Sequence, residues 1–543
     1  MLIITSLYIF FWIYLCELKI KQSLHIIQLE GYNSDKYIDW IGNNKDKVHT
    51  KNDKTYAAIL IIFSAILTII SPVEKTPVFP LIYAVISLFF LIKNVRSKEE
   101  SKKPLVFTPR AKRLYGIAFF LVLFDLILTL LIVKWITKDI FSYLPVWAGI
   151  ITIIYYFSSF YMYGANYIAK PMEERINKKY YIQASEKIKN MNINSVGITG
   201  SYGKTSTKFI TETILKEKYK VLKTPESYNT PMGISKIINN ELTDEYDVFI
   251  AELGATKSGD IDEVAKLTNP KLGIITSIGP CHLESFKSID NIMRTKYELI
   301  ENLPDDGTAI FNYDNEYVKK LADKTFKHKL LYGIDNIEET DIFATDMHVD
   351  SLGSSFALCI NSLGTIECRT KLLGRHNILN ILGGAAIASA LGLSLNEIKT
   401  GISMLEPVEH RLQLIDHGTG VLVIDDAFNS NPEGAQAALD VLNSFTDRRK
   451  IIVTPGMIEL GSIEEEENYK LGEIIASVCD VAILVGEKRT LPIYQGMEKH
   501  DFNEDNLYVV NSLNEAAEVL KTLTKVNDVV LFENDLPDTY DEK

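Results

Sequence analysis

The sequence has little with which to build a covalent or metal-thiolate framework. Its five cysteines, Cys16, Cys281, Cys359, Cys368 and Cys479, are scattered, and no Cys-x-x-Cys pair occurs. That spacing signals neither a disulfide scaffold nor a zinc site, and it fits a reducing compartment for the soluble part. Positive charge is also in deficit: 57 Lys and Arg stand against 70 Asp and Glu, a net charge of −13. A nucleic-acid partner is therefore not expected. The last third lacks a dinucleotide fingerprint before its first helix, so no NAD site is expected there. Apolar residues are not spread evenly along the 543 residues either. The first third is membrane-like and the remainder reads as soluble.

Residues 2–16 are apolar up to Glu17, which is short for a span of roughly 20 residues. With no basic start and no small-residue cleavage site, the run reads as a membrane helix rather than a signal peptide. Four more apolar runs follow, Tyr56–Ser71, Val78–Ile92, Tyr115–Val133 and Tyr143 to about Ile168. The reading is therefore about five spans, the second and third forming a hairpin across Pro72–Thr76. Basic residues concentrate after the first run (Lys19 to Lys54), between the third and fourth (Arg96 to Arg113) and after the fifth (Lys170 to Lys179). Basic loops stay in the cytoplasm. An outside N-terminus then puts all three basic segments, and everything beyond them, on the cytoplasmic side. Asp125 sits mid-span, where a carboxylate is either functional or bonded to a structural partner such as a tyrosine on a neighbouring span. The aromatics Tyr32, Tyr37 and Trp40 suit an interfacial segment or contact with a lipid-linked substrate.

The rest is organised around Thr199-Gly200-Ser201-Tyr202-Gly203-Lys204-Thr205-Ser206. An apolar strand, a glycine turn and Lys-Thr opening a helix build a phosphate site. Lys204 would reach the outer phosphates of ATP, and the Thr205 hydroxyl would hold Mg²⁺. The pattern is TGxxGKT, because Ile198 occupies the first glycine position of the strict form. Around it, β-rich runs (248–253, 271–279, 307–312) alternate with helical ones, which argues for a mostly parallel, doubly covered sheet. A β-rich patch at 341–368 interrupts this, an Ala-rich helix follows at 377–391, and a break falls near Glu406-Pro407. The alternation then restarts over 413–535. The expected architecture is multi-domain: a transmembrane helical domain (1–173), an α/β P-loop domain (174–406) and a smaller Rossmann-like α/β domain (407–543).

Ligands in such sheets collect at the C-terminal strand ends. Glu252 ends one strand there, His282 follows another, and Lys296 lies on the next helix. A carboxylate and a hydroxyl behind a P-loop suit magnesium held jointly by protein and phosphate oxygens. The imidazole marks the site as specialised.

Ten segments then carry a resemblance: TGSYGKTSTK (199–208), YNTPMGI (228–234), AELGATKSGDID (251–262), IGPCHLESFKS (278–288), TKYEL (295–299), FNYDN (311–315), GRHNILN (374–380), HRLQLID (410–416), DDAFNSNPEG (425–434) and GMIELGS (456–462). In this order they resemble the Mur ligases, most closely the MurF type. The resemblance implies an ATP-dependent amide ligase of peptidoglycan synthesis that activates a carboxylate as an acyl phosphate and joins it to an amine. It implies that Lys204 and Thr205 serve the phosphates and a first Mg²⁺, with Glu252 on the same ion. His282 would bind a second metal, and Lys296 matches a lysine often carbamylated in the family. Asn377 matches an adenine-contacting position, Arg411 and Asp426 match residues reaching phosphate and ribose, and Asn229 and Thr230 fall at the acceptor site.

The family's soluble UDP-sugar-binding domain is replaced by apolar runs, so the acceptor is lipid-linked, UDP-linked or another envelope molecule. Phe532-Glu-Asn-Asp535 replaces a Lys-Gly-Ser, His410 a glycine and Phe428 a tyrosine, which leaves the amine donor open between an amino acid and a dipeptide. Two rivals remain: a membrane ligase that polymerises glutamate, and a P-loop ATPase driving transport.

Overall fold

The computed structural model describes residues 2–70, 78–96, 104–137, 144–225, 228–281, 283–350, 352–427, 430–458 and 460–535. The chain divides into two compact units, Met1–Asn177 and Lys178–Lys543.

The first unit is helical. Its first helix, Leu2–Leu29, continues well past the charged residues at which the apolar run stops. Those charges find partners, which is why they do not end it. Lys19 pairs with Asp53 at 3.4 Å, both side chains 4% exposed, and Glu17 accepts from Tyr115 Oη at 2.9 Å. Among the described residues, four helices are long and apolar enough to cross a membrane: Ile3–Leu29, Lys51–Ile69, Val78–Arg96 and Pro109–Ile136. There are five if Leu144–Tyr156 and Ser159–Asn190, bent by 65° to each other, form one span. The sequence reads 143–168 as one uninterrupted run. The break falls at Phe157-Ser158, where the carbonyl of Ser159 accepts from Tyr37 Oη at 2.9 Å. Tyr37 is buried in the core of the helical unit. Asp125 has a structural partner of the expected kind, accepting from Tyr161 Oη. The Pro72–Thr76 connection lies outside the described residues.

The second unit holds two sheets. β1 (Asn194–Thr199), β2 (Val221–Lys223), β3 (Val248–Glu252), β4 (Leu272–Ile275), β5 (Thr308–Asn312), β6 (Lys329–Gly333), β7 (Ile342–Asp350), β8 (Gly353–Ile360) and β9 (Gly364–Thr370) form one sheet. Its order is β2-β3-β1-β4-β5-β6-β7-β8-β9. It is parallel through β7, and β8 and β9 continue antiparallel. The short apolar strands are buried on both faces, as parallel strands flanked by helices must be. On one face Val196, Ile198 and Ile274 join the core under the helices Lys204–Leu215 and Arg375–Ala390. On the other, Phe249, Ile275 and Phe311 pack with the helix Ile289–Glu301. The small residues of Arg375–Ala390 allow close approach, since a Cβ at Gly384 would lie 2.9 Å from Ile210 Cγ2.

β10 (Gln413–Asp416), β11 (Leu422–Asp426), β12 (Arg449–Thr454), β13 (Val481–Val485), β14 (Leu507–Val510) and β15 (Asp528–Glu533) form the second sheet, in the order β10-β11-β15-β12-β13-β14. β10, not separable as a strand in the sequence pattern, pairs antiparallel with β11 at the edge.

Candidate active site

β1 lies between β3 and β4, and the chain steps over a strand in passing from β1 to β2 and from β3 to β4. Such crossings leave a crevice at the C-terminal strand ends. The loop after β1 opens into it. Gly203 has φ +77°, and a Cβ there would fall 2.6 Å from Asn380 Oδ1. A Cβ at Gly200 would lie 3.0 Å from the Ser277 backbone. Neither position accommodates a side chain without local movement. The loop is tied to the end of β4 by Ser201 N to Ser277 O (2.7 Å) and Thr276 Oγ1 to Tyr202 O (2.5 Å). The helix Lys204–Leu215 has no side-chain cap at its start, so its first N–H groups face the crevice ready for an anion.

Glu252 is the electrostatic centre. Thr205 Oγ1 donates to its Oε2 at 3.0 Å, Lys208 Nζ to the same oxygen at 2.9 Å, and Asn229 Nδ2 to Oε1 at 3.3 Å. Burial opposes its charge, but Lys208 and Lys204 outweigh burial and hold the carboxyl below its usual range. Lys208 is a functional residue that sequence reasoning missed. Its signal is its place one turn after Lys204, as the last residue of TGSYGKTSTK.

Lys204 folds back on the loop, donating to the carbonyls of Gly200 (2.7 Å) and Ser201 (2.8 Å). Lys296 is 4% exposed and has no hydrogen-bond or ion-pair partner among the described residues. Burial, and then the nearby Lys204 charge, lower its ammonium from 10.5 to about 7. Glu298, on the same helix, serves structure instead: it accepts from Gly259 N (2.8 Å) and Asp262 N (2.9 Å) at the start of the helix Asp260–Thr268.

A cleft of about 420 Å³ unites these groups. Gly200 to Thr205, Asn229, Thr230, Glu252, Lys296 and Arg411 all line it, and Ser430, Asn431, Ile458 and Leu460 close it from the second sheet's side. Thr199, Ser206, Asn377 and Asp426 are not among the described lining residues. Thr199 Oγ1 donates to Leu253 O at 3.0 Å. Asn377 Nδ2 donates to Leu373 O at 2.8 Å and is buried. One turn on, Asn380 meets the loop instead, accepting from Thr207 Oγ1 at 3.3 Å. Asp426 accepts from Leu412 N at 3.1 Å, and burial together with Glu533 pushes its carboxyl up to about 7. Glu533, wholly buried, accepts from Ser430 Oγ and, at 2.7 Å, from Thr454 Oγ1. His282 and Phe428 lie outside the described residues. Among those described, no group of three His, Cys, Asp or Glu side chains converges. The Thr205 hydroxyl beside Glu252 is nonetheless an oxygen pair that suits a magnesium ion completing its shell with phosphate and water.

The fold and this site define a P-loop nucleotide-binding protein whose second α/β sheet closes over the phosphate loop. The family description "Mur ligase middle domain" matches residues 198–388, and "Mur ligase, glutamate ligase domain" matches 410–533. The UDP-N-acetylmuramoyl-tripeptide–D-alanyl-D-alanine ligase of Escherichia coli is 34% identical over 294 residues, 54% of this chain and 64% of that protein. The enzyme of the same name from Buchnera aphidicola is 30% identical over 58% of this chain and 68% of its own. The crystal structure of MurF ligase from Thermotoga maritima in complex with ADP superposes with a TM-score of 0.60 at 26% identity, covering 67% of this chain and 81% of that one. MurF from Acinetobacter baumannii gives 0.60 at 25%, over 67% and 78%. The chain belongs to the Mur ligase family. It spans 64% and 62% of the lengths of the E. coli and Haemophilus influenzae relatives it matches.

Proposed function

We propose that the protein is an ATP-dependent, ADP-forming amide ligase of the MurF kind. It would act at the cytoplasmic face of a membrane that its N-terminal helices span, and extend a peptidoglycan precursor. The observation that carries this reading is Glu252, held by Thr205, Lys208 and Asn229 directly behind an uncapped phosphate-binding helix. In this reading an acceptor carboxylate oxygen attacks the γ-phosphorus and ADP leaves. The amine nitrogen of the donor then attacks the acyl carbon, phosphate departs, and the amine proton passes to phosphate or a nearby base. Lys204 would exchange its two loop carbonyls for phosphate oxygens as nucleotide enters. Arg411, from the second sheet's side of the cleft, would complete the cationic wall. Closure around the cleft would keep water from the acyl phosphate.

Thr205 and Glu252 would hold Mg²⁺, with His282 and Lys296 serving a second ion. When bound, the metal would neutralise the charge that builds across the phosphates. Lys296 suits carbamylation: an amine near 7 with no hydrogen-bond or ion-pair partner among the described residues is about half free base at neutral pH and can add CO₂, losing a proton. Asn229 and Thr230 would meet the acceptor. Asn377 and Asp426 would reach adenine and ribose only after local movement.

The test is the full chain in detergent with ATP, Mg²⁺, UDP-N-acetylmuramoyl tripeptide and D-alanyl-D-alanine, with other amino acids and dipeptides as alternative donors. ADP release and an amide product, each requiring both acceptor and amine, are expected. ADP release independent of both would overturn the ligase reading in favour of an ATPase.

A further inference from the structure

The second sheet's side of the cleft holds a buried carboxyl with no cation beside it. Glu533 ends β15, and each of its oxygens accepts from one hydroxyl: Oε1 from Ser430 Oγ, and Oε2 from Thr454 Oγ1 at 2.7 Å. The frame around it is closed. Thr454 Oγ1 accepts in turn from Gly456 N at 3.0 Å, and Asn534 Nδ2 donates to Gly456 O at 2.6 Å. No cation pairs with Glu533 among the described residues, and burial raises its carboxyl against the two hydroxyl bonds. Asp426, which pairs with it in register on β11, is pushed up as well, by burial and by Glu533 itself. Of the two hydroxyls, that of Thr454 is wholly buried, whereas Ser430 lines the cleft that Lys204 and Lys296 also line. Asn431 fixes Ser430 there by capping the helix Pro432–Asn443, accepting from Gly434 N at 2.9 Å.

We propose that Ser430, backed by Glu533, binds the attacking amine and relays its proton. Ser430 spends its single proton on Glu533, so it meets the cleft with lone pairs, which suit an N–H of the donor. As the amine electron pair forms the bond to the acyl carbon, the bond from that carbon to the phosphate oxygen breaks and phosphate leaves with its electron pair. The N–H proton passes to Ser430 Oγ, and the Ser430 proton passes to Glu533, which becomes a neutral carboxyl. A buried carboxylate without a cation favours that uptake. Ser430 touches the amine, and Glu533 acts through it as a positioning residue. The assignment rests on the ligase reading and names the base which that reading leaves open.

The test separates the two half-reactions, using the full chain in detergent with ATP, Mg²⁺ and UDP-N-acetylmuramoyl tripeptide. Amide formation is measured with D-alanyl-D-alanine and the alternative donors. Hydroxylamine, which attacks acyl phosphates without a catalyst, replaces the donor in a parallel series and traps the first half-reaction as a hydroxamate. Glu533→Gln and Ser430→Ala should each lower kcat for the amide on the order of 10²-fold, while hydroxamate yield and ADP affinity stay at the wild-type level. Ser430→Thr keeps the hydroxyl and should restore most of the rate. If Ser430→Ala loses ADP binding, Glu533→Gln, which keeps the side-chain volume, decides alone. Amide and hydroxamate falling together, or an unchanged kcat in Glu533→Gln, would overturn the relay. Wild type that forms hydroxamate but no amide from any donor would overturn it too, because the relay would have no amine to serve. Wild type that forms neither overturns the ligase reading itself, a result independent of the variants.

Discussion

Lys208→Met is the most informative single change. Lys208 and Glu252 are 0% and 2% exposed and 2.9 Å apart. At an effective dielectric of about 20 that distance corresponds to a gross attraction of about 6 kcal/mol. Desolvation of both groups offsets much of this, so the intact pair contributes little net stability. Removing one partner is different, because Glu252 then stays buried with Thr205, Asn229 and the less direct charges of Lys204 and Arg411. The expected loss is about 3–5 kcal/mol. At ~2–4 °C per kcal/mol, the unfolding midpoint of the ligase unit should fall by roughly 6–20 °C. The double variant Lys208→Met/Glu252→Gln removes both charges and should recover most of that fall, a coupling of about 2 kcal/mol or more. Thermal unfolding of the full chain in detergent, followed for wild type, both single variants and the double variant, completes the cycle. A Lys208→Met loss below about 1 kcal/mol, or strict additivity, would refute the claim that a buried charge pair organises the site.

Gly203→Ala should weaken ADP binding at least about tenfold by calorimetry, because φ +77° and Asn380 both oppose a side chain there. Lys296→Ala should abolish amide formation and be partly rescued by formate or acetate; an unchanged rate would remove Lys296 from the chemistry. Asp426 has a raised folded-state pKa of about 7, so its contribution to stability is fully present below about pH 4 and is lost as pH rises toward 7. Asp426→Asn should flatten that decline in denaturation measured between pH 4.5 and 7.5, where a parallel curve would show that the carboxyl is not held protonated. Tyr161→Phe should destabilise the helical unit by about 1–3 kcal/mol by leaving the Asp125 carboxyl without its donor, and Asp125→Asn/Tyr161→Phe should recover part of this.

The alternation of strands and helices was legible because parallel strands buried on both faces leave continuous apolar runs such as Val248–Glu252. β10 was not, since an edge strand of four partly exposed residues carries no such run. The extent of the first helix was hidden for a different reason. A window of hydropathy stops at Glu17, whereas the helix continues because Tyr115 and Asp53 satisfy the Glu17 and Lys19 charges from elsewhere in the unit. Tertiary partners of this kind leave no local mark. The bend at Phe157-Ser158 likewise sits beside a distant partner, Tyr37, which donates to the Ser159 carbonyl 122 residues away.

The site divides along the same line. Phosphate chemistry prescribes residue types at fixed spacing in the loop, Glu252 followed from its place at a strand end, and the role of Lys296 was implied only by the resemblance. Lys208 could not be placed, because a lysine on a helix reads as solvent-exposed until Glu252 is known to lie beneath it. The second sheet's side of the cleft shows the limit most clearly. Glu533 stands within the tetrapeptide that departs from the family, and in the fold it holds the hydroxyls of Ser430 and Thr454. A hydroxyl has a single proton to give. Ser430, which lines the cleft, has given its proton to Glu533 and can only accept from whatever enters. That favours an N–H group over a carboxylate at this point of the wall. The consequence depends on the direction of one hydrogen bond, which no spacing of residues encodes.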